Sequence, residues 1–91
     1  MSIGSALVFT HMGHVRHRPK RLAEKLLRIR EALGLSQKEM AERLGNYRTS
    51  QHISKYERGK SGPPIEVVLA YSRLANVQIE QIVDDELDLN L

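Results

Sequence analysis

The sequence predicts an all-α fold of about five short helices, and three observations predict it. From Leu22 onward apolar residues recur at three- and four-residue spacing. Helix-stop and helix-start residues interrupt that pattern at short intervals. No segment of the same region alternates apolar and polar residues over the length a half-buried strand needs. Each helix is marginal on its own, so all of them must share one core of Leu, Ile, Val, Met and Tyr.

The first helix carries Leu22, Leu26, Ile29 and Leu33 on one stripe with Lys, Arg and Glu between them, and Gly34 stands where a left-handed cap belongs. Ser36 then opens a second helix, and Glu39 three residues later completes a capping-box pattern. Met40, Ala41 and Leu44 form its inner stripe, and Gly45 ends it. The third helix starts with Thr49 as N-cap, which puts Ile53 in the first turn and lets Gly59 close the C-terminus. Pro63-Pro64 opens a fourth, where a missing N–H is harmless. Its inner face is expected to use Ile65, Val68, Leu69 and Tyr71 or Ser72, with Asn76 as the stop. Ile79, Ile82 and Val83 mark a short fifth helix.

The organisation that follows is an extended or flexible basic arm over 1–19, a helical domain over 20–85 and an acidic tail over 86–91 that frays. The arm includes a short apolar run, Ala6 to Phe9, with strand propensity, but neither the charged start nor the cleavage site of a secretory signal. A chain of 91 residues has room for one small core. Cysteine is absent, so helix packing alone must supply stability. No apolar run approaches the roughly 18 residues of a membrane span. These features fit a cytoplasmic protein.

Charge is distributed unevenly. Residues 1–30 hold seven Lys/Arg against Glu24 alone, residues 31–60 hold six against four, and residues 61–91 hold only Arg73 against six acids. A basic front facing a polyanion, with an acidic tail turned away, is one reading. A solvated charge run is the other.

The stretch LGLSQKEMAERLG, followed by ISKYERGK and Pro63, resembles the helix-turn-helix family of phage repressors and bacterial regulators, the Cro/C1 or XRE type. Several features agree in order over residues 22 to 83. They are Gly34-Leu35-Ser36-Gln37, Met40-Ala41, Ile53-Ser54, Tyr56-Glu57-Arg58-Gly59, Pro63 and the closing Ile79 to Ile82. The resemblance implies a five-helix, lambda-repressor-like domain whose second and third helices form the helix-turn-helix. It also implies double-stranded DNA as partner, no cofactor and no metal.

On that resemblance the third helix lies in the major groove with Ser50, Gln51, Ser54 and Lys55 outward. Gln51 suits adenine N6 and N7, and Lys55 suits a guanine or a phosphate. Gln37 is placed over the DNA backbone at a helix N-terminus, where N–H donors meet a phosphate. Arg58 and Lys60 follow the reading helix and would touch phosphates beside the groove. In the family the glutamate of the YERG segment pairs with an arginine of the first helix. The matching residues here are Glu57 and Arg30, and their expected role is architectural.

Three departures stand out. The stretch GNYRTSQHI between Gly45 and Ile53 is longer than the family's usual turn, which makes Asn46, Tyr47 and Arg48 an enlarged loop. Tyr47 and Arg48 thereby become candidates for backbone contact, and Thr49 is counted with the DNA-binding residues. Leu74-Ala75 inverts the usual order, and Asn76 replaces the usual Gly cap, a substitution the left-handed conformation tolerates. In the arm, Arg16, Arg18, Lys20 and Arg21 would either follow the DNA backbone or remain a solvated tail.

His11, His14 and His17 recur every third residue, but without cysteine or further ligands they read as polar arm rather than a zinc site. His52 reads as surface. No nucleophile elbow, ordered triad or glycine-rich phosphate loop is present, so the expectation is no enzyme activity. Two functional classes remain. One is a sequence-specific transcriptional regulator, a homodimer acting as repressor or autoregulator, with an antitoxin as a special case. The other is a helical module that binds a protein, for example a toxin or RNA polymerase. The polar, basic face of the third helix favours the first. Ile79, Ile82, Val83 and Leu87 are candidates for a dimer or partner surface.

Overall fold

A computed structural model describes residues 18–45 and 47–91. Five helices follow in order: α1 (Leu22–Leu33), α2 (Gln37–Leu44), α3 (Ser50–Glu57), α4 (Ile65–Ala75) and α5 (Ile79–Val83). There is no strand among the described residues. The all-α fold of five short helices expected from the apolar spacing is therefore the fold the described residues adopt. The apolar run from Ala6 to Phe9, the three histidines of the arm, Arg16, and Asn46 of the enlarged loop lie outside the described residues.

Backbone chemistry explains where the helices stop. Gly34, at φ +72°, ends α1, and Asn76, at φ +57°, ends α4. After α3, Gly59 takes φ +70°. In all three places two N–H groups fold back onto the last turn. Leu35 N reaches Arg30 O at 3.2 Å, Lys60 N reaches Lys55 O at 2.9 Å and Val77 N reaches Ser72 O at 3.0 Å. These are Schellman closures, which satisfy carbonyls a helix end would otherwise leave unpaired.

The core gathers Leu22, Leu26 and Ile29 of α1, Met40 and Ala41 of α2, Ile53 and Tyr56 of α3, Val67, Val68 and Tyr71 of α4, and Ile82 of α5. Each large side chain buried this way stabilises the fold by about 1.5–3 kcal/mol, which holds together helices too short to persist alone. Every helix supplies at least one such residue, with α1 packed against α3, α4 and α5.

Two expectations are corrected here. In α4 the inner face is Val67, Val68, Tyr71 and Ser72, whereas Ile65 is 68% exposed and Leu69 only half-buried. The reason is that Pro64 is the N-cap rather than part of the first turn, and its carbonyl accepts from Val67 and Val68. That sets the helix phase so Ile65 faces away. The acidic tail does not fray either. Leu89 is buried, and the ammonium of Lys25, itself fully buried, donates to Gln81 O at 2.7 Å, Asp84 O at 2.8 Å and Leu87 O at 2.6 Å.

Candidate nucleic-acid interface

The helix-turn-helix is the α2–α3 pair. Its first half starts from a complete capping box: Glu39 N donates to Ser36 Oγ at 3.0 Å and Ser36 N to Glu39 Oε1 at 2.8 Å. The Ser36 backbone N–H holds the Glu39 carboxyl below the ordinary carboxylate range. A negative side chain in the first turn also suits the helix dipole. Gly45, at φ +66°, ends α2, and Arg48 N returns to Gly45 O at 3.1 Å to close the enlarged turn.

At the start of α3, Thr49 is the N-cap in extended conformation. His52 Nδ1 accepts the Thr49 N–H at 3.0 Å, so the imidazole completes the cap from the third helical position. The residue that seemed merely a surface histidine is thus part of the structure that starts α3. Its signal in the sequence was its spacing of three from the N-cap, the position Glu or Gln occupies in a capping box.

Behind α3 lies a three-helix junction centred on one carboxylate. Arg30 Nε donates to Glu57 Oε2 at 2.6 Å and Arg30 Nη2 to Glu57 Oε1 at 3.1 Å. Gln37 Nε2 donates to Glu57 Oε1 at 3.0 Å, and Arg30 Nη1 reaches Leu35 O at 2.9 Å. The Glu57 side chain is only 4% exposed, so its charge depends on these donors. The hydrogen bond to Glu57 also raises the Arg30 guanidinium pKa further. A bidentate arginine fixes both distance and plane, which locks the orientation of α3 on α1. Gln37, anticipated over the DNA backbone, spends its side-chain amide in this junction. Against it Tyr71 buries a hydroxyl that has no partner, and burial pushes that phenol well above its ordinary pKa.

The outward side of α3 is polar. Gln51 and Lys55 are exposed, and Ser50 and Ser54 are half-buried. Ser54 Oγ accepts from Arg58 Nε at 3.1 Å, so these two candidate residues meet each other, while Lys60 is exposed. In the turn Tyr47 is 99% exposed, and Arg48 Nη2 lies 3.3 Å from Glu66 Oε2.

The basic residues just ahead of α1 are tied to the body of the domain. Asp85 accepts Lys20 N at 2.8 Å and Arg21 N at 3.0 Å, while the Arg21 guanidinium binds Asp85 O at 3.0 Å and Asp88 Oδ1 at 2.8 Å. Arg18 Nη1 donates to Gly59 O at 2.9 Å, at the end of α3. Lys20 and Arg21, read either as following DNA or as a solvated tail, are instead held by Asp85 and Asp88, Lys20 through its backbone N–H alone and Arg21 through both backbone and guanidinium. The reason is that Asp85 caps the N–H groups entering α1. Sequence reading also missed Lys25. Its place between Leu22 and Leu26, on the inner stripe, was the available signal.

Among the described residues no three His, Asp or Glu gather as metal ligands, and no helix is long and apolar enough to cross a membrane. Two short helices joined by a turn, the second braced from behind and polar in front, define a DNA-binding helix-turn-helix regulator. A helix-turn-helix family model of the Cro/C1 (XRE) type matches residues 26–82, well over half the chain, and the protein belongs to that family. It is a family of DNA-binding regulators rather than of enzymes. No curated protein matches the chain.

Proposed function

We propose that the protein is a sequence-specific transcriptional regulator that represses through an operator read by α3. The observation that carries this is the contrast between the two sides of α3. Ile53, Tyr56 and Glu57 are locked inward, while Gln51, whose Oε1 accepts from Thr49 Oγ1 at 3.3 Å, and Lys55 are exposed on the other side. A short helix held rigidly with polar tips outward is what base-edge reading requires, because discrimination depends on fixed geometry.

In this reading Gln51 contacts adenine, Lys55 a guanine or phosphate, and Ser50 and Ser54 flank them. The backbone N–H groups opening α2 at Gln37 receive a phosphate. Tyr47, Arg48 and Thr49 before α3, and Arg58 and Lys60 after it, meet the sugar-phosphate backbone on either side. The regulator acts in the cytoplasm as a homodimer on a two-fold operator with half-sites about one helical turn apart.

The test is titration with mixed-sequence duplex DNA across a salt series. Binding should appear at low ionic strength and fall linearly on a log–log plot, with a slope near −0.9 per phosphate contacted. A chain that forms no complex with any duplex at low salt is not a DNA-binding regulator.

A further inference from the structure

Two unfavourable features sit side by side in the turn before α3. Tyr47 has φ +64°, a left-handed backbone that a bulky side chain adopts at a cost. The other described non-glycine residue with positive φ is Asn76, whose residue type tolerates the conformation and whose place is a helix cap. Tyr47 has neither justification. Its ring is 99% exposed, so no burial offsets the strain. Its neighbour Arg48 is drawn toward Glu66, leaving Nε buried without a hydrogen-bond partner.

An enlarged loop has freedom to relax, yet this one is pinned on both sides. Arg48 N is bonded to Gly45 O, Arg48 Nη2 reaches Glu66, and Thr49 N is bonded to His52 Nδ1. Strain and an unpaired donor at adjacent positions, held by their surroundings, are the mark of a segment shaped for contact. What the conformation achieves is to stand a phenol ring in solvent two residues ahead of the α3 N-cap. In a helix-turn-helix, that is the end of the reading helix that enters the groove.

We propose that Tyr47 is a DNA-backbone anchor presented under strain. Its ring lies against a deoxyribose, and its hydroxyl donates to a phosphate oxygen at the edge of the groove. This rests on the DNA-binding reading above and adds to it a trade: the residue strengthens binding while weakening the free fold. Phosphate contacts position a protein without reading sequence, so the gain applies to every duplex.

The test pairs two variants in thermal unfolding and duplex titration. Tyr47→Gly removes both ring and strain. It should raise the melting temperature by about 2–6 °C, because the relieved left-handed penalty exceeds the extra chain entropy of glycine. It should also weaken binding about five- to tenfold, the loss expected when the hydroxyl's hydrogen bond and the ring's contact with the sugar go together. Tyr47→Phe keeps ring and strain, so melting should be unchanged and affinity should fall about threefold. Both losses should be equal on operator and unrelated duplexes. A Tyr47→Gly protein that binds as tightly as wild type, melts lower than wild type, or loses affinity only at one base position overturns the proposal. A wild-type protein that binds no duplex overturns the regulatory reading itself, and this proposal with it.

Discussion

The carboxylate of Glu57 and the ammonium of Lys25 are both shut away from water, but one is answered by side chains and the other by backbone. Glu57 meets Arg30 and Gln37, donors that α1 and α2 supply by residue type. Lys25 meets three carbonyls, of Gln81, Asp84 and Leu87, that any residues would supply. Three N–H donors find three acceptors, so the ammonium is satisfied by the path of the chain alone. The first arrangement braces the reading helix. The second fastens the segment after α5 to α1 and, through Leu89, closes the core.

The difference has a mutational consequence. A side-chain pair can be removed from both ends, whereas carbonyls cannot be mutated away. Lys25→Met should therefore give the largest loss, about 3–5 kcal/mol in denaturant unfolding, because the acceptors must rehydrate and the tail must loosen. No second substitution should restore it. A loss below about 1 kcal/mol would show that the carbonyls reach water without cost.

Next in size is Glu57→Leu, which strands the half-buried Arg30 and should cost about 3 kcal/mol. The double variant Arg30→Met with Glu57→Leu should lose less than the sum of the single changes, with a coupling above about 1 kcal/mol. Additive losses would mean that the two charges act independently. The same cycle can be read out by duplex affinity, since a loosened α3 should bind every sequence more weakly.

The smallest expected effect concerns Asp85. Its carboxyl is held below the ordinary range first by the Arg21 N–H and then by the Lys20 N–H. A depressed folded-state pKa stabilises above the unfolded carboxylate value of about 3.9, and that contribution is lost as pH falls through the folded value. Asp85→Asn should thus lower stability at neutral pH and converge on wild type in the acid limb of a pH titration. A gap that stays constant at all pH values would remove the charge from the explanation.

The same contrast explains how much could be read without coordinates. Helix stripes, the Ser36–Glu39 box, the Thr49 cap, and Gly34 and Asn76 as stops depend on residue types at short spacing, which a sequence displays directly. Arg30 and Glu57 are far apart, and only the family resemblance paired them. The docking of residues 84–89 was invisible because its partners are distant in the chain, main-chain carbonyls for Lys25 and carboxylates of an acidic run that looks solvated for Arg21 and the N–H groups entering α1. Ile65 was misassigned because Pro64 sits one position earlier in the helix than its type suggests. Gln37 reads toward the DNA backbone, and its side-chain amide's use on Glu57, twenty residues away, is not displayed by its residue type.

The central claim is that α3, braced at Glu57, reads base edges through Gln51. It is tested most directly by selecting bound sequences from random duplex DNA with wild type and Gln51→Ala in parallel. The account predicts a two-fold symmetric motif for wild type and, in the variant, lost preference at one base pair per half-site, worth about 1–3 kcal/mol. An identical motif at undiminished affinity with Gln51→Ala would contradict it.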